Sequence, residues 1–170
     1  MNRRGFTLIE VIVVMALIGI LLSIASLQFS DYIRKGAIER QTKELYSDLM
    51  TTRTIAVTQR TSKRVIVTPT VFTFVSSSLG GGVSSGSMTR ILSKPITWTG
   101  KASGDTATQI IFDERGTFNI DVSNGNTTIC VEPSFESAQY DRIVVFSTRI
   151  HLGKARVFGG VCNSANVTVK

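Results

Sequence analysis

Glu10 stands at the head of a long apolar segment, and its carboxylate is the first group in the chain that could do chemistry. The residues from Val11 to Ser30 carry no charge, and the next charged residue is Asp31. A carboxylate beside such a segment is costly in apolar surroundings unless it finds a proton or a cation. Glu10 is therefore predicted to have a functional partner.

A second group of candidate residues is basic and lies near the C-terminus. The whole chain has a formal net charge of +7 and a pI near 9.9, which indicates an anionic partner or surface. From Arg142 to Lys170 there are five basic residues and no acidic one. The pattern there predicts a strand over residues 142–151, a tight turn at Leu152-Gly153 and a returning strand over residues 154–158.

A two-residue turn would place basic side chains opposite each other on one face of that hairpin. His151 would lie opposite Lys154, and Arg149 would lie opposite Arg156. Like charges across a hairpin repel, so such a face would favour a bound anion, and repeated phosphates are one candidate. Solubilising charges on a solvent-facing strand, or a contact with acidic residues of neighbouring proteins, explain the same pattern.

Cys130 and Cys162 are the only two cysteines. In an oxidising compartment such a pair predicts one disulfide, and two free buried thiols are the alternative. The only histidine, His151, has no second histidine and no close pair of cysteines beside it. This pattern argues against a metal site, and we expect neither a metal nor a cofactor.

Asp113 and Glu114 are adjacent carboxylates that could be considered as a catalytic acid/base pair. They are followed by Arg115-Gly116. Adjacent acidic residues in such a stretch are typical of a solvated turn. The sequence therefore predicts a protein without enzymatic activity.

Two helical segments are needed to position these groups. The apolar residues 6–30 are long enough to cross the roughly 30 Å of a bilayer core as a helix. Arg3 and Arg4 precede this segment, so the N-terminus is expected to stay cytoplasmic. Residues 31–60 continue as an amphipathic helix, since an apolar stripe recurs at alternating steps of four and three residues: Ile38, Thr42, Leu45, Leu49, Thr52 and Ala56.

Residues 61–170 are predicted to form a β-rich domain. Stretches rich in β-branched and aromatic residues begin at Arg64 and alternate with turn residues. Asn124-Gly125 predicts a hairpin that joins a strand over residues 117–122 to a strand over residues 127–132. With 170 residues the chain has room for one anchor helix and one such domain. The expected fold class is α+β, a long N-terminal helix packed on an antiparallel sheet.

The segment Arg4-Gly5-Phe6-Thr7-Leu8-Ile9-Glu10 resembles the class III leader of type IV pilins and type II secretion pseudopilins. The resemblance implies that residues 1–5 are a prepilin leader. A prepilin peptidase would cut after Gly5 and methylate the new N-terminus at Phe6. It also implies that Glu10 serves assembly by pairing with the α-amine of Phe6 on an adjacent subunit.

The stretch from Ile110 to Phe118, followed by the strand of Cys130, resembles the strand-turn-Gly-strand pattern of the GspH/FimT pilin-like domain. Together with the leader it implies a FimU-like structural minor pilin or pseudopilin. Such a subunit would take part in initiation and assembly of a type IV pilus or a type II secretion filament.

The same resemblance implies partners and a location. The partners would be other pilin or pseudopilin subunits, the prepilin peptidase and the inner membrane. The protein would first be a single-pass protein of the bacterial inner membrane, with its C-terminal domain in the periplasm, and would then join a pilus or pseudopilus filament.

DNA uptake is the alternative function. Some FimT-type minor pilins bind DNA during natural transformation through a basic Gly-Arg-x-Lys motif near the C-terminus. Thr148-Arg149-Ile150-His151 stands near that place here, so only Arg149 corresponds to the motif. In this hypothesis the DNA phosphates would contact Arg149, His151, Lys154 and Arg156.

Overall fold

The computed structural model describes residues 6–76, 88–99, 106–120, 126–134, 136–157 and 159–169, without the side chains of residues 24–28, 75–76 and 119–120. The chain divides into two compact units, Met1–Lys35 and Gly36–Lys170. Helix α1 is assigned over Leu8–Gln59 and contributes residues to both units.

In the first unit, α1 exposes its apolar side chains. Every side chain from Phe6 to Ser23 is exposed. Among the residues that the structure describes, no helix is long and apolar enough to cross a membrane. The span expected over residues 6–30 includes residues 24–28, whose side chains lie outside the description. The transmembrane helix therefore stays a prediction.

In the second unit, α1 buries the stripe that the periodicity indicates. All six residues are buried: Ile38, Thr42, Leu45, Leu49, Thr52 and Ala56. The two threonines tolerate burial because their hydroxyls donate to the helix itself. Thr42 Oγ1 lies 2.8 Å from the carbonyl oxygen of Ile38, and Thr52 Oγ1 lies 2.8 Å from that of Asp48.

The described residues after α1 form short strands and one 3₁₀ turn. The strands of the first half are β1 Lys63–Val67, β2 Val71–Ser76, β3 Met88–Ile91, β4 Ile96–Trp98 and β5 Thr108–Phe112. Those of the second half are β6 Phe118–Ile120, β7 Thr127–Val131, β8 Arg142–Val145, β9 Ile150–Ala155 and β10 Val167–Val169. The 3₁₀ turn covers Ser164–Asn166, just before β10.

These strands form two antiparallel sheets. Sheet 1 has the order β3-β2-β1-β5-β6, and sheet 2 has the order β10-β9-β8-β7-β4. The predicted hairpin between the strands around residues 117–122 and 127–132 is wrong, because β6 pairs with β5 in sheet 1 whereas β7 pairs with β4 and β8 in sheet 2. Asn124-Gly125 itself lies outside the described residues.

The core of the second unit joins the helix stripe to both sheets. Sheet 1 contributes Val65, Phe72 and Ile110, and sheet 2 contributes Ile96, Ile129 and Ile143, all with no exposed surface. The predicted α+β fold, an N-terminal helix followed by antiparallel sheets, is confirmed.

The predicted C-terminal hairpin is also wrong. Its turn lies at residues 146–149, where the Phe146 N–H donates to the Arg149 carbonyl at 2.8 Å, and Leu152-Gly153 lies inside strand β9. Gly153 faces Arg142 on β8 and Val169 on β10. A Cβ at this position would lie 2.3 Å from Val167 Cγ1. Gly153 therefore allows two strands to approach closely and does not form a turn.

Candidate functional site

The N-terminal motif is placed at the first turn of α1. The helix begins at Leu8, and the Glu10 N–H lies 3.1 Å from the Thr7 carbonyl oxygen and 3.4 Å from the Thr7 hydroxyl. Thr7 thus occupies the N-cap position, and Glu10 is the acidic residue of the first turn. A carboxylate here is favoured by the partial positive charge of the helix N-terminus.

The residues on either side of Thr7 are exposed. Phe6 is 82% exposed, and Glu10 is also exposed. Gly5 and the rest of the predicted leader lie outside the described residues. An exposed carboxylate one helical turn from the predicted mature N-terminus can reach a cation on another molecule.

Two of the four predicted basic residues meet at the β8–β9 turn. Arg149 is exposed, His151 is half-buried, and both line an open depression of about 400 Å³ together with Asn126, Phe146 and Val169. The His151 ring stands edge-on to Phe146, with 5.8 Å between the ring centroids. One guanidinium and one imidazole therefore border a space that could accept an anion.

The other two basic residues do not join this depression. Lys154 lies three residues after His151 on the same strand, so the two side chains leave opposite faces of β9. Lys154 Nζ donates to the Glu136 carbonyl at 2.7 Å. Arg156 is exposed and lies beyond the end of β9. The prediction that His151 lies opposite Lys154, and Arg149 opposite Arg156, is therefore wrong. In the structure His151 pairs with Val144 on β8, and Lys154 pairs with Thr168 on β10.

The predicted disulfide is present between Cys130 on β7 and Cys162 in the segment after β9, with 6.0 Å between the Cα atoms. It attaches that segment to sheet 2. Among the described residues, no three His, Cys, Asp or Glu side chains lie close enough together to hold a metal ion.

Comparison with known protein families identifies the domain. The family described as Type II transport protein GspH matches residues 41–148. The chain belongs to this family. The Prokaryotic N-terminal methylation motif matches residues 1–26 of the same chain. No curated protein and no solved structure gave a significant match.

The two matches cover different parts of this GspH-family chain. The methylation motif includes Gly5, Phe6 and Glu10, and so agrees with the resemblance of the leader. The GspH match ends at residue 148, one residue before Arg149. Family membership therefore supports a pilin or pseudopilin role and leaves the C-terminal basic residues to be explained by their own contacts.

Sequence reasoning missed Arg53, which organises the neighbourhood of the depression in this GspH-family domain. Its Nε donates to the Gly116 carbonyl at 2.9 Å, and its Nη2 donates to the Thr148 carbonyl at 3.0 Å. The guanidinium also lies 5.5 Å from the centre of the Phe118 ring. Arg53 thus connects α1 to the β5–β6 turn and to the β8–β9 turn. Arg53 is one of several charges on this helix, so its sequence position gave no signal of this role.

Asp113 and Asp141 both accept hydrogen bonds from residues of the same domain. Asp113 Oδ1 accepts from the Thr117 N–H at 2.7 Å and from the Arg115 N–H at 2.9 Å, and its Oδ2 accepts from the Thr117 hydroxyl. The Thr117 side-chain bond is the main reason that the pKa of Asp113 is lowered. Asp141 is buried, and removal from water raises its pKa although Oδ1 accepts from the Ala155 N–H.

Proposed function

We propose that this GspH-family protein is a minor pilin or pseudopilin that takes part in the initiation and assembly of a type IV pilus or type II secretion filament. In this proposal residues 1–5 are removed after Gly5, Phe6 becomes the methylated N-terminus, and Glu10 pairs with the α-amine of Phe6 on an adjacent subunit. Before assembly, the apolar segment would anchor the chain in the inner membrane with its domain in the periplasm.

One observation supports this proposal above the others. From Phe6 to Ser23 the side chains are exposed although most of them are apolar, and Glu10 is the single charged residue among them. An exposed apolar surface of this kind is typical of a segment that a membrane or other proteins cover. In such surroundings Glu10 needs a cation, and each neighbouring copy of the motif would supply one amine.

Replacement of Glu10 in the full chain tests the assembly role. The Glu10→Gln variant keeps the size and hydrogen-bonding capacity of the side chain but removes its charge. Loss of one member of a buried ion pair costs about 3–5 kcal/mol, so we expect at least a roughly tenfold loss of the subunit from sheared filaments at unchanged membrane levels. Immunoblots of both fractions measure this.

The matched control is Glu114→Gln, which removes an exposed carboxylate from a turn and should assemble normally. Mass spectrometry of the mature wild-type chain should find N-methylated Phe6 as its first residue. Normal filament levels of Glu10→Gln, or a mature chain that begins elsewhere, would contradict the proposal.

DNA binding is a second candidate function, favoured by the depression that Arg149 and His151 line. A phosphate placed there would meet the permanent positive charge of Arg149, together with the imidazole of His151 as a hydrogen-bond donor. The separate locations of Lys154 and Arg156 reduce the candidate site from four basic residues to two.

Fluorescence anisotropy of labelled duplex and single-stranded DNA with the detergent-solubilised full chain tests this second function. Binding through phosphates should weaken steeply as salt increases, and Arg149→Ala combined with His151→Ala should abolish it. Arg115→Ala, which removes an exposed arginine from the β5–β6 turn, is the control. Absence of binding by the wild-type chain at low salt, or an equal loss in the control, would reject DNA binding.

A further inference from the structure

The connection between β9 and β10 is held in place by a disulfide and by several hydrogen bonds. This segment, of which the structure describes residues 156–157 and 159–166, is called the C-terminal loop below. It runs between two strands that pair directly, with Ala155 opposite Val167. The disulfide from Cys162 to Cys130 attaches its middle to sheet 2.

Arg142 on β8 holds the backbone of the C-terminal loop. Its side chain has no exposed surface, which is rare for an arginine. Nη1 donates to the Val161 carbonyl at 3.2 Å, and Nη2 donates to the Gly160 carbonyl at 3.3 Å. Burial of a guanidinium is costly, so these bonds are part of what makes its position tolerable. Arg142 therefore joins β8 to the backbone of the loop.

Asn166 fixes the same loop from its other end. Its side-chain oxygen accepts from the Val157 N–H at 2.7 Å, and its Nδ2 donates to the Val157 carbonyl at 3.2 Å and to the Val161 carbonyl at 3.3 Å. A Cβ at Gly160 would lie 2.3 Å from Asn166 Nδ2. The loop is therefore closely packed around this amide.

The fixed loop presents two apolar side chains to solvent. Val157 is 60% exposed and Val161 is 76% exposed, although the carbonyl groups of both residues are bonded inside the loop. Arg156, the neighbour of Val157, is exposed as well. A loop whose conformation is set beforehand loses little conformational entropy when it binds, which favours a docking role.

We propose that the C-terminal loop is a docking surface for an acidic surface of a different protein. Val157 and Val161 would enter an apolar depression of the partner, and Arg156 would pair with a carboxylate at its rim. Charge complementarity supports this partner, because Arg156 is exposed and residues 156–166 contain no acidic side chain that could neutralise it.

Nucleic acid fits the C-terminal loop less well than an acidic protein does. Arg156 is the only basic residue among residues 156–166, and the two exposed valines offer nothing to phosphates. The loop also lies beyond the family match, which ends at residue 148, and is separate from the Glu10 motif. The proposal therefore does not depend on the proposed assembly function.

Site-specific photo-cross-linking in the full chain, in cells of its own species, tests the docking surface. A benzophenone amino acid replaces Val161, and the control carries it at Ile91, an 83% exposed residue on β3 of sheet 1 that lies in none of the proposed sites. We expect position 161, and not position 91, to cross-link to a different protein through a peptide that mass spectrometry shows to be rich in Asp or Glu.

Charge variants in the same experiment separate docking from chance contact. Arg156→Glu should lower the cross-link yield at least about tenfold, whereas Arg156→Lys should retain most of it. Mobility on non-reducing gels checks that the disulfide is intact in each variant. A cross-link only to a second copy, a cross-link to nucleic acid, equal yields at both positions, or no cross-link would overturn the proposal. Mass spectrometry of the N-terminus in the same samples tests the assembly function separately.

Discussion

Two stretches of α1 differ in the exposure of their apolar side chains. Near the N-terminus, Ile9, Leu17 and Leu21 are each more than half exposed. Further along, Leu45 and Leu49 have no exposed surface, because strands of both sheets pack on that face. One helix therefore contains a segment that the chain covers itself and a segment that it leaves uncovered.

This difference separates residues that stabilise the domain from residues that serve contacts with other molecules. Apolar side chains lower the free energy of the folded state in proportion to the area that folding removes from water. By this measure the stripe from Ile38 to Ala56 stabilises the second unit. The exposed residues of the first unit contribute little until a membrane or another subunit covers them.

The largest expected effect comes from truncating the covered stripe. Leu45→Ala should lower the free energy of unfolding by about 2–5 kcal/mol, because it leaves a cavity among buried side chains. Leu17→Ala removes the same atoms from a residue that is 56% exposed and should leave that free energy almost unchanged. Denaturant unfolding of both full-length variants in detergent measures the comparison. Equal losses would show that the two stretches do not differ in the proposed way.

A smaller effect is expected where α1 meets the edge of sheet 1. Arg90 on β3 forms a two-bond pair with the Asp48 carboxylate, in which Nη2 lies 3.1 Å from Oδ1. Because this pair is partly exposed, Arg90→Ala should cost about 1 kcal/mol of unfolding free energy. The control is Arg40→Ala, since the Arg40 side chain is 73% exposed and its Nε lies 3.8 Å from Glu44, a carboxylate that also lies 3.5 Å from Arg90 Nη1. Arg40→Ala should lower the unfolding free energy by a few tenths of a kcal/mol at most.

A double-mutant cycle that combines Arg90→Ala with Asp48→Ala isolates the Arg90–Asp48 pair. A coupling energy near zero would show that this pair does not stabilise the domain.

The smallest effects concern a covered and an uncovered carboxylate. Burial raises the pKa of Asp141, so its contribution to stability should fall as pH rises from the unfolded value, about 3.9, through the folded pKa. The Thr117 hydroxyl lowers the pKa of Asp113, so its contribution is present above about pH 3.9 and is lost as pH falls through the folded pKa. Asp141→Asn and Asp113→Asn should therefore change the pH dependence of unfolding in opposite directions. Carbon-detected NMR titration of both carboxyl groups checks the two signs, and a shared sign would contradict this account.

The sequence predicted what depends on local patterns. The buried stripe of α1 follows from its periodicity, and the first strand, Lys63–Val67, begins within one residue of the β-rich stretch expected from Arg64. The turn at Asp113 also follows from residue types at short range, and the disulfide follows from the presence of only two cysteines in the sequence.

What the sequence did not predict depends on contacts between distant residues. Leu152-Gly153 has the composition of a turn, and the sequence around it does not indicate that Val167 lies too close to position 153 for that position to carry a side chain. Because the turn was predicted at the wrong position, Lys154 and Arg156 were expected beside His151 and Arg149, whereas in the structure they lie elsewhere. The sequence also does not show that β6 and β7 belong to different sheets, or that Arg142 bonds the C-terminal loop, because both depend on the tertiary fold.

Arg53 gives the second unit a mechanical property. Its guanidinium bonds the Gly116 carbonyl in the β5–β6 turn of sheet 1 and the Thr148 carbonyl in the β8–β9 turn of sheet 2. A pulling force on this part of α1 would therefore reach one turn of each sheet through this side chain, in addition to the packing of the buried stripe. Neither sheet would carry the tension alone.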